Sequence, residues 1–232
     1  MTQELTCFSD ARTAWKHWNF TAFEQRFEAL SKLAGLLRKK DSELADVVQF
    51  HIESARPFVS VCHELNGPTG ETNELYTAGR GVALMFSKQE GPGASKAILA
   101  LISAALIAGN SIVMCSEDNV FTSMLSSVLN EADLPEKLIQ VLSEEQCNAL
   151  ISSDIRSVGF VGKENDERHL SRAFAKREGV IVSFVSETDL VDLPTAHDPY
   201  LSLRFITERT RTINITAIGG NASLLEMGHS PH

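Results

Sequence analysis

No apolar run in this sequence is long enough to cross a bilayer. The longest, around Ala97 to Ala108, is interrupted by Ser103 and falls short of the roughly 18 to 20 residues a spanning helix needs. The first ten residues lack a basic stretch followed by an apolar one, so they do not form a secretory signal. Cysteine is scarce: Cys7, Cys62, Cys115 and Cys147 lie far apart, matching neither a disulfide framework nor a zinc spacing. Free thiols in a reducing cytoplasm are the expectation. Positive charge is also in short supply. A formal net charge of -9 argues against nucleic acid, which requires a basic face. What remains is a 232-residue chain with 43% hydrophobic residues, enough for one globular domain with a core and an appendage, but not for two full enzyme domains.

The periodicity changes along the chain. Phe23, Phe27, Leu30, Leu33 and Leu37 recur at three and four residues, predicting an amphipathic helix over 20–38, with Thr21 and Glu24 in a capping-box pattern. Asp41 is a good N-cap for a second helix reaching Ala55, which Pro57 should end. From Gly81 onward, strands and helices alternate. The run Val82 to Phe86 reads as a strand buried on both faces. A helix over 94–108 follows, with Gly109 at its cap. Strands at 111–115, 139–142, 157–161 and 180–185 and helices at 119–131 and 165–176 complete the pattern. The predicted fold is α/β: a Rossmann-like parallel sheet over 80–186 with helices on both faces, a helical segment over 20–56 before it, and an extended β arm after it. The expected division is 1–199 for the Rossmann-like domain and 200–232 for the arm. The arm segment Tyr200 to Thr216 has no helical period and reads as a polar strand that packs on nothing nearby, free to reach another chain.

Common site motifs are missing. No Gly-x-Gly-x-x-Gly follows the first strand of the core, and there is neither a Walker motif nor a His-Glu-x-x-His. Glu90-Gly91-Pro92-Gly93 places glycines ahead of a helix, but Pro92 removes a donor and Glu90 repels phosphate. The seven histidines do not cluster at metal-ligand spacing, so no metal is expected. His197 and Asp198 are adjacent but have no nucleophile beside them.

Several segments nevertheless occur in a telling order: Gly67-Pro68-Thr69-Gly70-Glu71-Thr72-Asn73, Gly79-Arg80-Gly81-Val82, Ala104 to Asn110, Glu131 to Pro135, Gly159-Phe160-Val161-Gly162 and Ser186-Glu187-Thr188. Together they resemble the NAD-binding domain of aldehyde dehydrogenases of the L-glutamate γ-semialdehyde (1-pyrroline-5-carboxylate) type. Leu203 to Thr210, followed by Thr216 to Leu224, is similar to the C-terminal motif of the proline utilization A family, whose long members carry a dehydrogenase-like accessory domain there.

The resemblance also shows what has been replaced. The family's Pro-Trp-Asn-Phe-Pro, whose amide stabilises an oxyanion, stands here as Lys88-Gln89-Glu90-Gly91-Pro92, and a carboxylate cannot donate. The ribose-binding Lys corresponds to Met114. In Phe-Thr-Gly-Ser the flanking residues become Val161 and Lys163 around Gly162, and the glycines of Glu-Thr-Gly-Gly become Asp189 and Leu190. Glu187 keeps the position of the general base, but no cysteine follows Cys147, so Glu187 is read as a relic and no catalytic residue is expected. The resemblance therefore implies a non-catalytic accessory protein of proline catabolism, cytoplasmic and without a cofactor. Its partner, another protein or a second copy, would dock on the 200–223 arm through Arg204, Phe205, Thr207, Arg209, Asn214, Gly219, Gly220 and Asn221. The alternative is an NAD-binding oxidoreductase component with residual cofactor affinity. A third reading gives the old cleft, with Met114 and Lys163 in it, to another ligand.

Overall fold

The computed structural model describes residues 3–67 and 71–214; Pro68, Thr69, Gly70 and the residues from 215 onward, including Gly219, Gly220 and Asn221, lie outside them. Three helices come first: α1 (Gln3–Phe20), α2 (Phe23–Leu37) and α3 (Ser42–Val59). The stripes Leu30, Leu33, Leu37 and Leu44, Val48, Ile52 are buried as their spacing requires. Asp41 caps α3, its carboxylate accepting from the N–H groups of Glu43 and Leu44 at 2.9 and 3.1 Å.

Three expectations need correction. Phe20 does not open the helix expected over 20–38, which is α2; it is the exposed last residue of α1. Thr21 does not cap α2, because its hydroxyl turns back to the carbonyl of His17, and Ala22 is the N-cap without a side-chain bond. Pro57 does not end α3 but stands inside its last turn, where one missing N–H costs a single terminal bond. Helix α1 itself was hidden because its buried face uses small residues, Ala11 and Ala14, with Trp18 as the one large anchor. The Trp18 indole donates to the carbonyl of Leu106 at 2.8 Å.

After β1 (Cys62–Leu65) and β2 (Glu71–Gly79), the chain enters β3 (Val82–Ser87), α4 (Pro92–Ile107), β4 (Ser111–Ser116), α5 (Asn119–Glu131), β5 (Ile139–Val141), α6 (Glu144–Ala149), β6 (Ser157–Val161), α7 (Glu164–Ala175) and β7 (Ser183–Glu187). Strands β3 to β7 form one parallel sheet in the order β5-β4-β3-β6-β7. Its faces are packed separately. Ala83, Met85, Ile112 and Met114 point to one core, with α2, α3 and α4. Val82, Leu84, Phe86, Val113 and Cys115 point to the other, with Ala11 of α1, Cys147 of α6 and Phe174 of α7. This two-sided burial is why β3 and β4 read as unbroken apolar runs rather than alternating ones. Gly159 lies against Met85: a Cβ there would stand 2.2 Å from the Met85 sulfur.

The end of the chain differs most from expectation. Leu201–Phe205 is a 3₁₀ turn, and Leu201 and Phe205 are buried in the main core. The final strand β8 (Ile206–Asn214) then pairs antiparallel with β2 along its whole length, giving the three-stranded order β1-β2-β8. The segment therefore does not pack on nothing nearby. Its partner β2 went unrecognised because it follows β1 after a short gap and mixes Glu, Thr and Asn with few apolar residues. Asn110 locks this junction. Fully buried, it accepts from Gly81 N–H at 3.1 Å and donates to the carbonyls of Ala105 and Phe205 at 2.9 and 3.0 Å. Among the described residues no helix is long and apolar enough to cross a membrane.

Candidate functional site

In an open parallel sheet, ligands bind outside the carboxyl ends of the strands where the strand order reverses. Here that point lies between β3 and β6, and Lys88 N–H bridges it by donating to Val161 O at 2.8 Å. Helix α4 starts beside it after Gly91, whose φ of +99° suits glycine. The Gly91 N–H donates to Asp118 at 3.2 Å, and the other oxygen of the same carboxylate caps α5 at Phe121 N–H, 2.9 Å. A side chain of the protein thus takes up one of the amides an anion would use. The second helix facing this crevice, α7, opens with Glu164, Asp166 and Glu167 in its first turn. Lys88 is engaged by Glu144, and more loosely by Glu117 at 3.9 Å. Its contact with Glu144 holds that carboxyl below the usual range.

The segment 188–200 reaches the crevice at the first turn of α4, where Leu190 meets Gly93. Its anchor is Glu187, 2% exposed at the end of β7. One carboxylate oxygen accepts from Asp189 N–H at 3.2 Å, and the other from Thr195 and Ala196 N–H at 2.7 and 3.1 Å. The Thr195 hydroxyl donates to Ser186 O at 2.9 Å. Asp189 accepts from the N–H groups of Asp192 and Val191, and those two bonds lower its pKa. From the other side, buried His51 on α3 donates to the carbonyl of Ala196 at 2.9 Å. Burial lowers the His51 pKa to about 4, opposed by the Ala196 bond, so the ring is neutral at physiological pH. So fastened, the segment lays Leu190 on the first turn of α4. A Cβ on Gly93 would stand 2.3 Å from the Leu190 carbonyl oxygen and 3.4 Å from its Cβ, so only glycine fits there.

The positions singled out in the sequence are dispersed by this geometry. Gly162, Lys163, Glu187 and Asp189 share the carboxyl end of the sheet; Gly162 N–H donates to Glu187 O at 3.2 Å, and Lys163 is the exposed N-cap of α7. Val161 is fully buried. Met114 is fully buried inside the main core and lines no crevice. In the C-terminal segment, Phe205 is core and Arg204 is exposed, its carbonyl bonded by the Ser183 hydroxyl. Thr207 and Arg209 lie on β8, and Asn214 pairs in register with Glu71. His197 and Asp198 serve the loop's own backbone, at Asp192 O and Tyr200 N–H. All four cysteines are free, and Cys115 lies against Cys147, raising its pKa together with burial. Asp118 was within reach of sequence reasoning, as an Asp just before a helix. His51 was not, since its partner is 145 residues away.

Comparison with known proteins places the chain. Residues 94–187 match the aldehyde dehydrogenase family. The bifunctional protein PutA of Escherichia coli K12 is 27% identical over 164 residues, 71% of this chain but only 11% of the PutA length. A crystal structure of Bradyrhizobium japonicum proline utilization A superposes with a TM-score of 0.70 and 25% identity, covering 80% of this chain and 22% of that one. A 1-pyrroline-5-carboxylate dehydrogenase from Thermus, solved with bound NAD, shares the fold at 17% identity and a TM-score of 0.62, over 81% of this chain and 42% of its own. The chain thus spans a small part of the length of the larger proteins it matches. The chain is thus similar to the aldehyde dehydrogenase family over residues 94–187, and to part of PutA over most of its length.

Proposed function

We propose that this chain is a non-catalytic, dehydrogenase-like accessory domain of proline catabolism that associates with a PutA-type glutamate semialdehyde dehydrogenase. The observation that carries this reading is the obstruction at the start of α4. Leu190 rests on the helix turn where a dinucleotide would need open backbone, and Asp118 holds one of its amides. Three acidic residues head the opposite helix, where the helix dipole would otherwise favour phosphate. These residues do not fit NAD. Glu187 is 2% exposed and accepts three backbone N–H bonds, an arrangement that suits an anchor better than a base open to substrate.

Association is supported by the sheet order β1-β2-β8, which puts β8 at the margin of its sheet with one side unpaired among the described residues. An unpaired strand edge is a template for another strand. We assign the docking role to this outer edge and the segment beyond it, within 200–223. Removing residues 200–232 is not a clean test, because it would strip Leu201 and Phe205 from the core. Thr210→Pro and Arg211→Pro are better, since successive N–H groups point to opposite sides of a strand and one of the two faces outward. In sedimentation with a purified PutA-type dehydrogenase, the unaltered chain should form a complex. The variant whose thermal melt is unchanged should not. Absence of any complex, or complexes with both variants, would contradict the proposal.

A further inference from the structure

At the opposite, amino end of the parallel sheet, arginines gather in an otherwise acidic chain. Arg80 precedes β3, Arg156 precedes β6, Arg209 lies on β8 and Arg12 on α1. With Trp15 and Asp154 they line a hollow of about 170 Å³. An adjoining hollow of about 280 Å³ shares Arg80, Arg156 and Arg209 and is also lined by Thr207. Gly81 permits the crowding: a Cβ there would meet the Arg156 stem at 2.8 Å. Asp154 answers one of these charges, bonding Arg156 through both oxygens at 2.8 and 3.0 Å. Arg12, Arg80 and Arg209 form no ion pair among the described residues.

Two buried donors at the same place lack an acceptor from the chain: the Nε of Arg80 and the indole Nε1 of Trp15. Both donors belong to residues that line the hollow, and buried polar atoms are nearly always hydrogen-bonded, so they call for an acceptor. Guanidinium groups present N–H pairs that match the oxygens of carboxylate and phosphate. At about 170 Å³ this hollow is of a size for a small ion, below the roughly 300 to 1,000 Å³ of sites for larger organic ligands. Three unanswered positive charges favour a dianion.

We propose that this hollow binds a small doubly charged oxyanion, a dicarboxylate or phosphate, and that the bound ion fastens α1 and β8 to the amino end of the sheet. The site is independent of the crevice at the carboxyl end. It is tested on the full chain at low ionic strength, where electrostatic attraction is least screened. Malonate and inorganic phosphate are titrated separately, following tryptophan fluorescence and the melting temperature. Saturable quenching or shift, with a rise in melting temperature, is expected below about 10 mM for at least one of the two. Whichever probe binds identifies the class. Arg80→Met should weaken binding about tenfold or more, the effect of losing a charged hydrogen bond. If that variant does not fold, Arg209→Gln, at an exposed position, should also weaken binding. Arg38→Gln removes the same charge at a distant surface pair with Asp46 and should leave binding unchanged. No saturable response to either anion, or an equal loss with Arg38→Gln, would overturn the site.

Discussion

Glu187 has two carboxylate oxygens, and three backbone N–H groups take up both of them. Glutamine has the same shape but offers one acceptor and one donor, so whichever way the amide turns, its NH2 confronts a backbone N–H. Glu187→Gln should therefore destabilise the fold by about 1–3 kcal/mol, the cost of leaving a buried donor unmet. Urea denaturation measures this directly. A variant as stable as the parent would mean that the carboxylate does not anchor the loop and would return Glu187 to consideration as a base. The sequence identified Glu187 but not its work, because the residues it holds, Thr195 and Ala196, donate through backbone groups that leave no trace in side-chain identity. Met114 marks the opposite limit. Its position in β4 was legible, but its complete burial depends on which face of the sheet it points to, and an unbroken apolar strand conceals that.

At the scale of elements, the loop 188–200 is held from both sides, by β7 through Glu187 and by α3 through His51. Burial of the His51 ring makes this clamp sensitive to acid. Its folded pKa, about 4, lies below the unfolded value of about 6.5. The unfolded chain therefore takes up the proton first, and stability present above about pH 6.5 is lost as pH falls toward 4, by about 3 kcal/mol in total. His51→Gln keeps a donor for the Ala196 carbonyl without titrating, so its stability should be flatter across that window. Parallel acid limbs for the two proteins would show that the histidine is not the sensor. The parallel-sheet elements were legible within a few residues because hydrophobic period and Gly or Asp punctuation agree there. The antiparallel strands β1, β2 and β8 were legible only in part. Strands β2 and β8 pair across 127 to 143 residues, as Glu74 with Arg211, and local patterning carries no such information.

At the scale of the whole molecule, the two ends of the parallel sheet carry opposite character. The carboxyl end, where dinucleotides bind in such folds, carries Glu117, Glu144, Glu164 and Glu167, and the chain's own loop meets it at Gly93. The amino end holds the arginines. The replaced family motifs pointed to an altered crevice; the plug formed by Leu190, and the Asp118 carboxylate at the helix start, became visible only when α4, α5 and the loop were assembled. A calorimetric titration of the full chain with NAD, up to millimolar concentrations, decides whether this crevice admits the cofactor. No saturable heat is expected. Binding at micromolar affinity would contradict this, since the loop would then have to leave Gly93, and the chain would have to be treated as a cofactor-binding dehydrogenase component.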